Sequence, residues 1–298
     1  STGDFLAFNA AFSTFLMSLL GVTEVVISTL NVIPVYERSK PIFQTLPEVD
    51  SAKADPGTLS GAIEINQINF QCTKDGPVII DNISLNIKSG EYCAMVGSSG
   101  SGKSTLFRIL LGFEALSSGT IYYDGHDLAK LDVRAVRRQL GVVLQSGKII
   151  AGDIFTNIIG SLQLTIDDAW EAARRAGFEQ DIKDMPMGMH TVLNEGASTL
   201  SGGQRQRLMI ARAIVHKPRI VYFDEATSAL DNETQAIVSK SLDNLKVTRI
   251  VIAHRLSTII NADRIFVIDK GRLVQEGSYD ELIKQEGLFA ELAKRQIA

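Results

Sequence analysis

The sequence predicts an α/β protein, a largely parallel sheet covered by helices, preceded by one long apolar helix. Three observations carry this. Short apolar runs at residues 93–96, 220–223, 250–253 and 265–268 alternate with helical stretches, the pattern of strands buried between helix layers. Ile63 and Ile65, then Ile83, Leu85 and Ile87, alternate with polar neighbours as half-buried strands do. Residues 5–33 hold a single charge, Glu24. At about 1.5 Å per residue, a helix of that length exceeds the roughly 30 Å hydrocarbon core of a bilayer.

Composition narrows the function classes. The 298 residues are 45% hydrophobic and 21% charged, which is ample for a core and too apolar for extended disorder. The balance of 30 basic against 34 acidic residues gives a net charge of −4. It lacks the basic footprint of a nucleic-acid binder, so no nucleic-acid partner is expected. The 2 cysteines, Cys72 and Cys93, cannot form a disulfide framework, which fits a reduced, cytosolic environment for the main domain.

The N-terminal run has no basic n-region and no small-residue cleavage site after it, so it does not read as a secretory signal. Asn9, Ser13, Thr14, Ser18, Thr23 and Ser28 dilute it. They suit either a face turned to other membrane helices or a long buried helix of a soluble protein. A lone span of this kind, starting at Ser1 without Met, reads as the C-terminal piece of a larger membrane protein. Pro34, Pro41, Pro47 and Pro56 follow, and proline spacing of this kind is expected to break helices and mark a linker. From Gly61 the α/β pattern runs to the C-terminus. Near its end Asp269-Lys270-Gly271-Arg272 reads as a hairpin turn. Ser278 with Glu281 reads as a capping box opening a final helix.

Three motifs carry chemistry. Gly97-Ser98-Ser99-Gly100-Ser101-Gly102-Lys103-Ser104 follows the strand at residues 92–96 and precedes a stretch, residues 105–111, that continues as a helix. This is the strand–loop–helix context of a phosphate-binding loop. Its glycines let backbone N–H groups wrap phosphates; Lys103 reaches the β- and γ-phosphates and Ser104 offers a hydroxyl to Mg²⁺. Residues 220–223 form an apolar strand ending in Asp224 and Glu225, at the sheet edge where ligands bind in open α/β folds. Strands also end at merely solvated acids; the phosphate loop makes the pair a candidate for holding Mg²⁺ (Asp224) and for orienting or deprotonating water (Glu225). Ser201-Gly202-Gly203-Gln204 opens a helical stretch at residues 208–215. Its Ser N-cap and paired glycines suit a second phosphate site or a simply capped surface helix.

GSSGSGKS, LSGGQRQR, IVYFDE, SALD and IAHR occur in the order and approximate spacing of ATP-binding cassette (ABC) transporter nucleotide-binding domains. The chain from Gly61 onward resembles that family. The resemblance implies a P-loop NTPase fold with a RecA-like parallel core, an antiparallel β subdomain and a helical subdomain at about residues 148–216. Residues 61–298 would be the nucleotide-binding domain, 35–60 the linker and 1–34 the last transmembrane helix of an exporter. It implies ATP contacts by residues 97–104, with Thr105, and a base-stacking position at Cys72, where the family usually has an aromatic residue. Phe70 is expected in the core instead. Gln145 matches the glutamine that senses Mg²⁺ and the attacking water, so Ser104, Gln145 and Asp224 form the expected Mg²⁺ set. Glu225, His254, Gln145 and Lys103 are the expected catalytic group. Glu195, in Asn194-Glu195-Gly196, resembles the acidic residue of an exporter loop that touches membrane helices.

The resemblance also implies head-to-tail dimers, in which Ser201, Gly202, Gly203, Gln204 and Asp231 of one chain cap ATP held by the phosphate loop of another. The implied partners are a second copy or a homologous half-transporter, the remaining membrane helices, and an exported substrate. The implied location is the bacterial inner membrane, with the ATPase on the cytoplasmic side. In overall wording the chain is most similar to peptide exporters that accompany nitrile-hydratase-like leader peptides in bacteriocin systems. Rival expectations are lipid or drug export, an ABC ATPase of DNA repair or translation, and a regulatory nucleotide-binding module without turnover.

Overall fold

The computed structural model describes every residue except 46–52, 74–75, 145–146, 197–198, 225–231, 254–255 and 298. The chain divides into two compact units, Ser1–Asp50 and Ser51–Ala298.

The first unit is one helix, α1 (Thr2–Gln44), capped by Ser1, whose ammonium and hydroxyl pair with Asp4. It is long and apolar enough to cross a membrane by length and composition, and its large apolar side chains, such as Phe8, Met17 and Val25, are exposed. The hydroxyls of Thr14, Ser18, Thr23 and Thr29 each donate to the carbonyl four residues back, at 2.8–3.1 Å. A hydroxyl satisfied within its own helix needs no water, which lowers its cost in lipid. The expected break does not occur at Pro34 or Pro41, because α1 runs through both to Gln44; Pro47 lies outside the described residues. Each proline removes only one ladder bond. The helix ends instead at Thr45, whose N–H and hydroxyl both donate to the Pro41 carbonyl.

The second unit is built on two sheets. β1 (Ile63–Gln71), β2 (Val78–Ile87), β4 (Ser118–Tyr123) and β5 (His126–Asp127) form an antiparallel sheet in the order β2-β1-β4-β5. β3 (Tyr92–Val96), β6 (Leu140–Val143), β9 (Ile220–Asp224), β10 (Thr248–Ile252), β11 (Arg264–Asp269) and β12 (Arg272–Gly277) form the second, in the order β12-β11-β3-β10-β9-β6. All its pairings are parallel except β11–β12.

Alternation along the parallel strands splits the core in two. Cys93, Met95, Tyr222, Ile250 and Phe266 face α2 (Lys103–Leu110) and the antiparallel sheet. Ala94, Val96, Val221, Phe223 and Val251 face the opposite cluster. That cluster holds α4 (Ile154–Ile159), α5 (Ile166–Arg175) and α7 (Gly202–Ile214), with α6 (Glu179–Lys183) and the short pair β7 (Gly152–Asp153) and β8 (Val192–Leu193) beside them. Arg212 of α7 donates to the carbonyls of Lys148 (3.0 Å) and Asn157 (2.6 Å), tying the segment after β6 to α4 and α7. The remaining helices are α3 (Val133–Arg137), α8 (Asn232–Leu245), α9 (Leu256–Ile259), α10 (Tyr279–Leu282) and α11 (Leu288–Ile297).

The Asp269–Arg272 turn joins β11 to β12 as expected, with Lys270 at φ 46° and Gly271 at φ 79°, both signs that the tight hairpin requires. Ser278 N–H donates to Glu281 at 2.8 Å. The capping box therefore forms, but it opens the one-turn α10, and the final helix is α11.

Candidate active site

The phosphate loop is shaped by the strands beneath it. β3 ends at Val96 between β11 and β10, and Gly97 leaves the sheet at φ 152°. A Cβ there would lie 2.0 Å from the Ile268 carbonyl oxygen, so only glycine fits. The loop closes with the Ser101 N–H donating to the Ser98 carbonyl at 3.2 Å. Gly102 is the N-cap of α2 and has no side chain to cap it. The first-turn N–H groups of Lys103, Ser104 and Thr105 are thus aimed where an anion would sit, at the positive end of the helix.

Lys103 is 5% exposed. Its ammonium donates to the carbonyls of Gly97 (2.9 Å) and Ser98 (2.8 Å) and to the Ser101 hydroxyl (3.2 Å). Three loop oxygens hold the buried ammonium close to where a phosphate in the loop would sit. The β11–β12 turn braces this arrangement: the Gly271 N–H donates to the Ser101 carbonyl at 3.0 Å, and the Gly271 carbonyl accepts from the Asp81 N–H of β2 at 2.8 Å.

Asp224 ends β9, paired with Ile252 of β10, at the same sheet edge from which the loop departs. Ser104 and Asp224 line one cavity of about 500 Å³, together with Phe107 and Arg108 of α2, Leu111 at its C-cap, Phe113 and Leu144. A hydroxyl and a carboxylate facing one space are hard oxygen donors, and that donor set fits Mg²⁺. Gln145, which follows Leu144, and Glu225, which follows Asp224, lie outside the described residues, as do Asp231 and His254.

Ser201 caps α7: its side chain accepts from the Gln204 N–H at 3.1 Å, and the Gln204 side chain accepts from the Ser201 N–H at 2.9 Å. The cap uses the serine oxygen as an acceptor and leaves the O–H proton to donate elsewhere. Gln204 Nε2 also donates to Asp181 at 3.0 Å, and Arg207 pairs with the same carboxylate at 2.9 Å, which fixes the start of α7 against α6. Ser201 and Gly202 are exposed. None of residues 201–204 lines the cavity that holds Ser104 and Asp224.

Cys72 is exposed and lies just past the end of β1, whereas Phe70 is 4% exposed and packs with Ile63 and Ile65 in the core. Phe70 is therefore in the core, as expected. Glu195 is exposed in the turn after β8. Sequence reasoning did not find the lining role of Phe107, Arg108 and Leu111. The signal was present in the helical spacing 104, 107, 108, 111, which puts these side chains on one face of α2 and its C-cap with Ser104.

The ABC transporter family profile matches residues 80–228. The chain is 43% identical over 264 residues to the alpha-hemolysin translocation ATP-binding protein HlyB of Escherichia coli O157:H7, covering 87% of this chain and 37% of that protein. It is 38% identical over 301 residues to the leukotoxin export ATP-binding protein LtxB of Aggregatibacter actinomycetemcomitans, covering 100% of this chain and 43% of that protein. A solved structure of a bacterial Atm1-family ABC exporter with ATP bound matches with a TM-score of 0.84 at 34% identity, over 91% of this chain and 48% of that one. The chain thus spans less than half the length of these relatives.

Proposed function

Because the chain belongs to the ABC transporter family and forms its ATP-binding, ATP-hydrolysing domain, we propose that this domain works at the cytoplasmic face of a bacterial inner membrane, powering export of a peptide or protein. The observation that carries the site is that Ser104, at the uncapped start of α2, and Asp224, at the end of β9, line one cavity beside a buried Lys103.

In this reading the N–H groups of residues 100–105 and the Lys103 ammonium hold the β- and γ-phosphates of ATP. Ser104 and Asp224, with Gln145, hold Mg²⁺, which when bound neutralises charge on the transferring phosphoryl oxygens. Glu225 orients the attacking water and takes its proton, and His254 contacts the γ-phosphate. Ser201, Gly202, Gly203, Gln204 and Asp231 act across a head-to-tail dimer, either of two copies or with a homologous half-transporter. Closure on Mg-ATP and reopening after phosphate release would then drive the membrane helices.

The peptide or protein substrate is supported by the named roles of HlyB and LtxB in translocating alpha-hemolysin and exporting leukotoxin. Export of leader-bearing bacteriocin peptides is the narrower form of the same reading.

The test is Glu225→Gln. General-base contributions are commonly about 10²–10⁴-fold, so the variant should bind Mg-ATP with near-normal affinity and release phosphate at least about 10²-fold more slowly, accumulating as an ATP-bound dimer. Phosphate release near the wild-type rate removes Glu225 from this role.

A further inference from the structure

We propose that Tyr222 and Tyr123 are positioning residues that set α2 against β9, and through them the placement of Ser104 relative to Asp224. This rests on the assignment of Ser104 and Asp224 to Mg²⁺. Tyr222 stands two residues before Asp224 in β9, so strand alternation puts both side chains on the face that α2 covers. Both tyrosines are 0% exposed. Their hydroxyl oxygens are 2.7 Å apart, and the Tyr123 hydroxyl donates to the Leu110 carbonyl at 2.8 Å. A carbonyl only accepts, so the Tyr123 proton goes to Leu110 and Tyr222 must donate to Tyr123. The relay runs from β9, through the last residue of β4, to the last turn of α2.

The Leu110 carbonyl is one of the terminal carbonyls of α2 that lack a partner within the helix. Tyr123 therefore closes the C-terminal end of the helix whose N-terminal end receives phosphate. A second contact reinforces the first: the Phe107 ring meets Tyr222 edge-on, with centroids 5.3 Å apart and an 81° angle. α2 is thus fixed to β9 at Phe107 and at Leu110. A regular helix passes that constraint to Ser104, which lies on the same face as Phe107, at about 1.5 Å per residue.

The relay is also costly unless it is used. Two hydroxyls lie in an otherwise aliphatic and aromatic cluster, where phenylalanine would fill the same space without an oxygen to satisfy. Directional bonds fix one register where apolar packing tolerates several. Burial pushes both phenols above their ordinary pKa. They stay protonated, and the relay holds at every pH the domain works in.

The test uses the whole 298-residue chain, with a fluorescent, non-hydrolysable ATP analogue. Its affinity is measured in EDTA and across a Mg²⁺ titration, together with Tm. Tyr222→Phe breaks the relay while Tyr123 keeps Leu110. It should raise the Mg²⁺ concentration for half-maximal effect by about three- to tenfold and leave the affinity in EDTA unchanged. The Tyr123→Phe/Tyr222→Phe double variant, which leaves no orphaned phenol hydroxyl, should show the same Mg²⁺ defect. A lowered Tm in either variant with an unchanged Mg²⁺ titration makes the tyrosines packing residues and overturns the proposal. Asp224→Asn is the control: if it also leaves the Mg²⁺ dependence unchanged, the metal assignment itself falls and takes the relay's role with it.

Discussion

Lys103 and Cys72 mark the two ends of what single residues disclose. Lys103 was legible as a candidate because a cation after a run of glycines has little else to serve, and in the structure three loop oxygens hold its ammonium. Cys72 was legible only through the family, whose exporters usually carry an aromatic residue there, and the structure leaves it exposed with Phe70 committed to the core. A thiol offers a soft contact but no broad π-face. Stacking of a base on an aromatic ring is worth about 1–3 kcal/mol. Cys72→Tyr is therefore expected to tighten ATP binding by up to about tenfold, near 1.4 kcal/mol, with wild type discriminating weakly against GTP. Titration with fluorescent ATP and GTP analogues checks this, and an unchanged affinity would mean that another residue already stacks on the base. The Tyr123–Tyr222 pair was illegible for a plain reason. Its partners lie 99 positions apart, on strands of different sheets, and nothing local announces the contact.

At the scale of elements, the strands were the most legible feature. Their apolar runs and alternation reflect burial on one or both faces, and β3 and β9–β11 lie where those runs fall. β6 escaped notice because Leu140–Val143 is short and contains a glycine, so its period cannot be told from a loop. That glycine, Gly141, packs where a Cβ would lie 2.3 Å from the Ala213 carbonyl oxygen. The prolines of α1 misled because proline argues against a helix only when each local bond matters, and a helix of 43 residues absorbs two losses. The β11–β12 turn shows an element doing more than its local signal promised, since Gly271 links the phosphate loop to β2. At φ 79°, with a would-be Cβ 2.4 Å from the Ile79 carbonyl oxygen, it has no room for a side chain. Gly271→Ala should cost about 2 kcal/mol or more from backbone strain and the clash. For a domain of this size that lowers Tm by about 4–8 °C, and nucleotide affinity should fall with it as the loop loses its brace. Differential scanning fluorimetry with and without ATP reads both effects, and an unshifted Tm would show that the turn is free to move away from β2.

Across the whole molecule, the central claim is that one chain carries two unlike halves of an ATP site. Ser104, at the end of the phosphate loop, and Asp224 share a cavity, while Ser201 to Gln204 open a separate helix on the other side of the parallel sheet's core. On the proposed reading, a site divided this way is complete only when two chains meet head to tail. Lys103→Ala should remove the phosphate-holding half, and Ser201→Arg should block the capping half with bulk and charge. Either chain alone should be nearly inactive, because each symmetric dimer then has the same defect in both sites. A mixed dimer differs, since one of its sites combines the intact loop of one chain with the intact cap of the other. The decisive measurement is the ATPase rate of Lys103→Ala and Ser201→Arg chains, assayed separately and after mixing. Activity rising on mixing towards one working site per mixed dimer is the predicted result; normal hydrolysis by Ser201→Arg alone, or no recovery in mixed dimers shown to have formed, contradicts it.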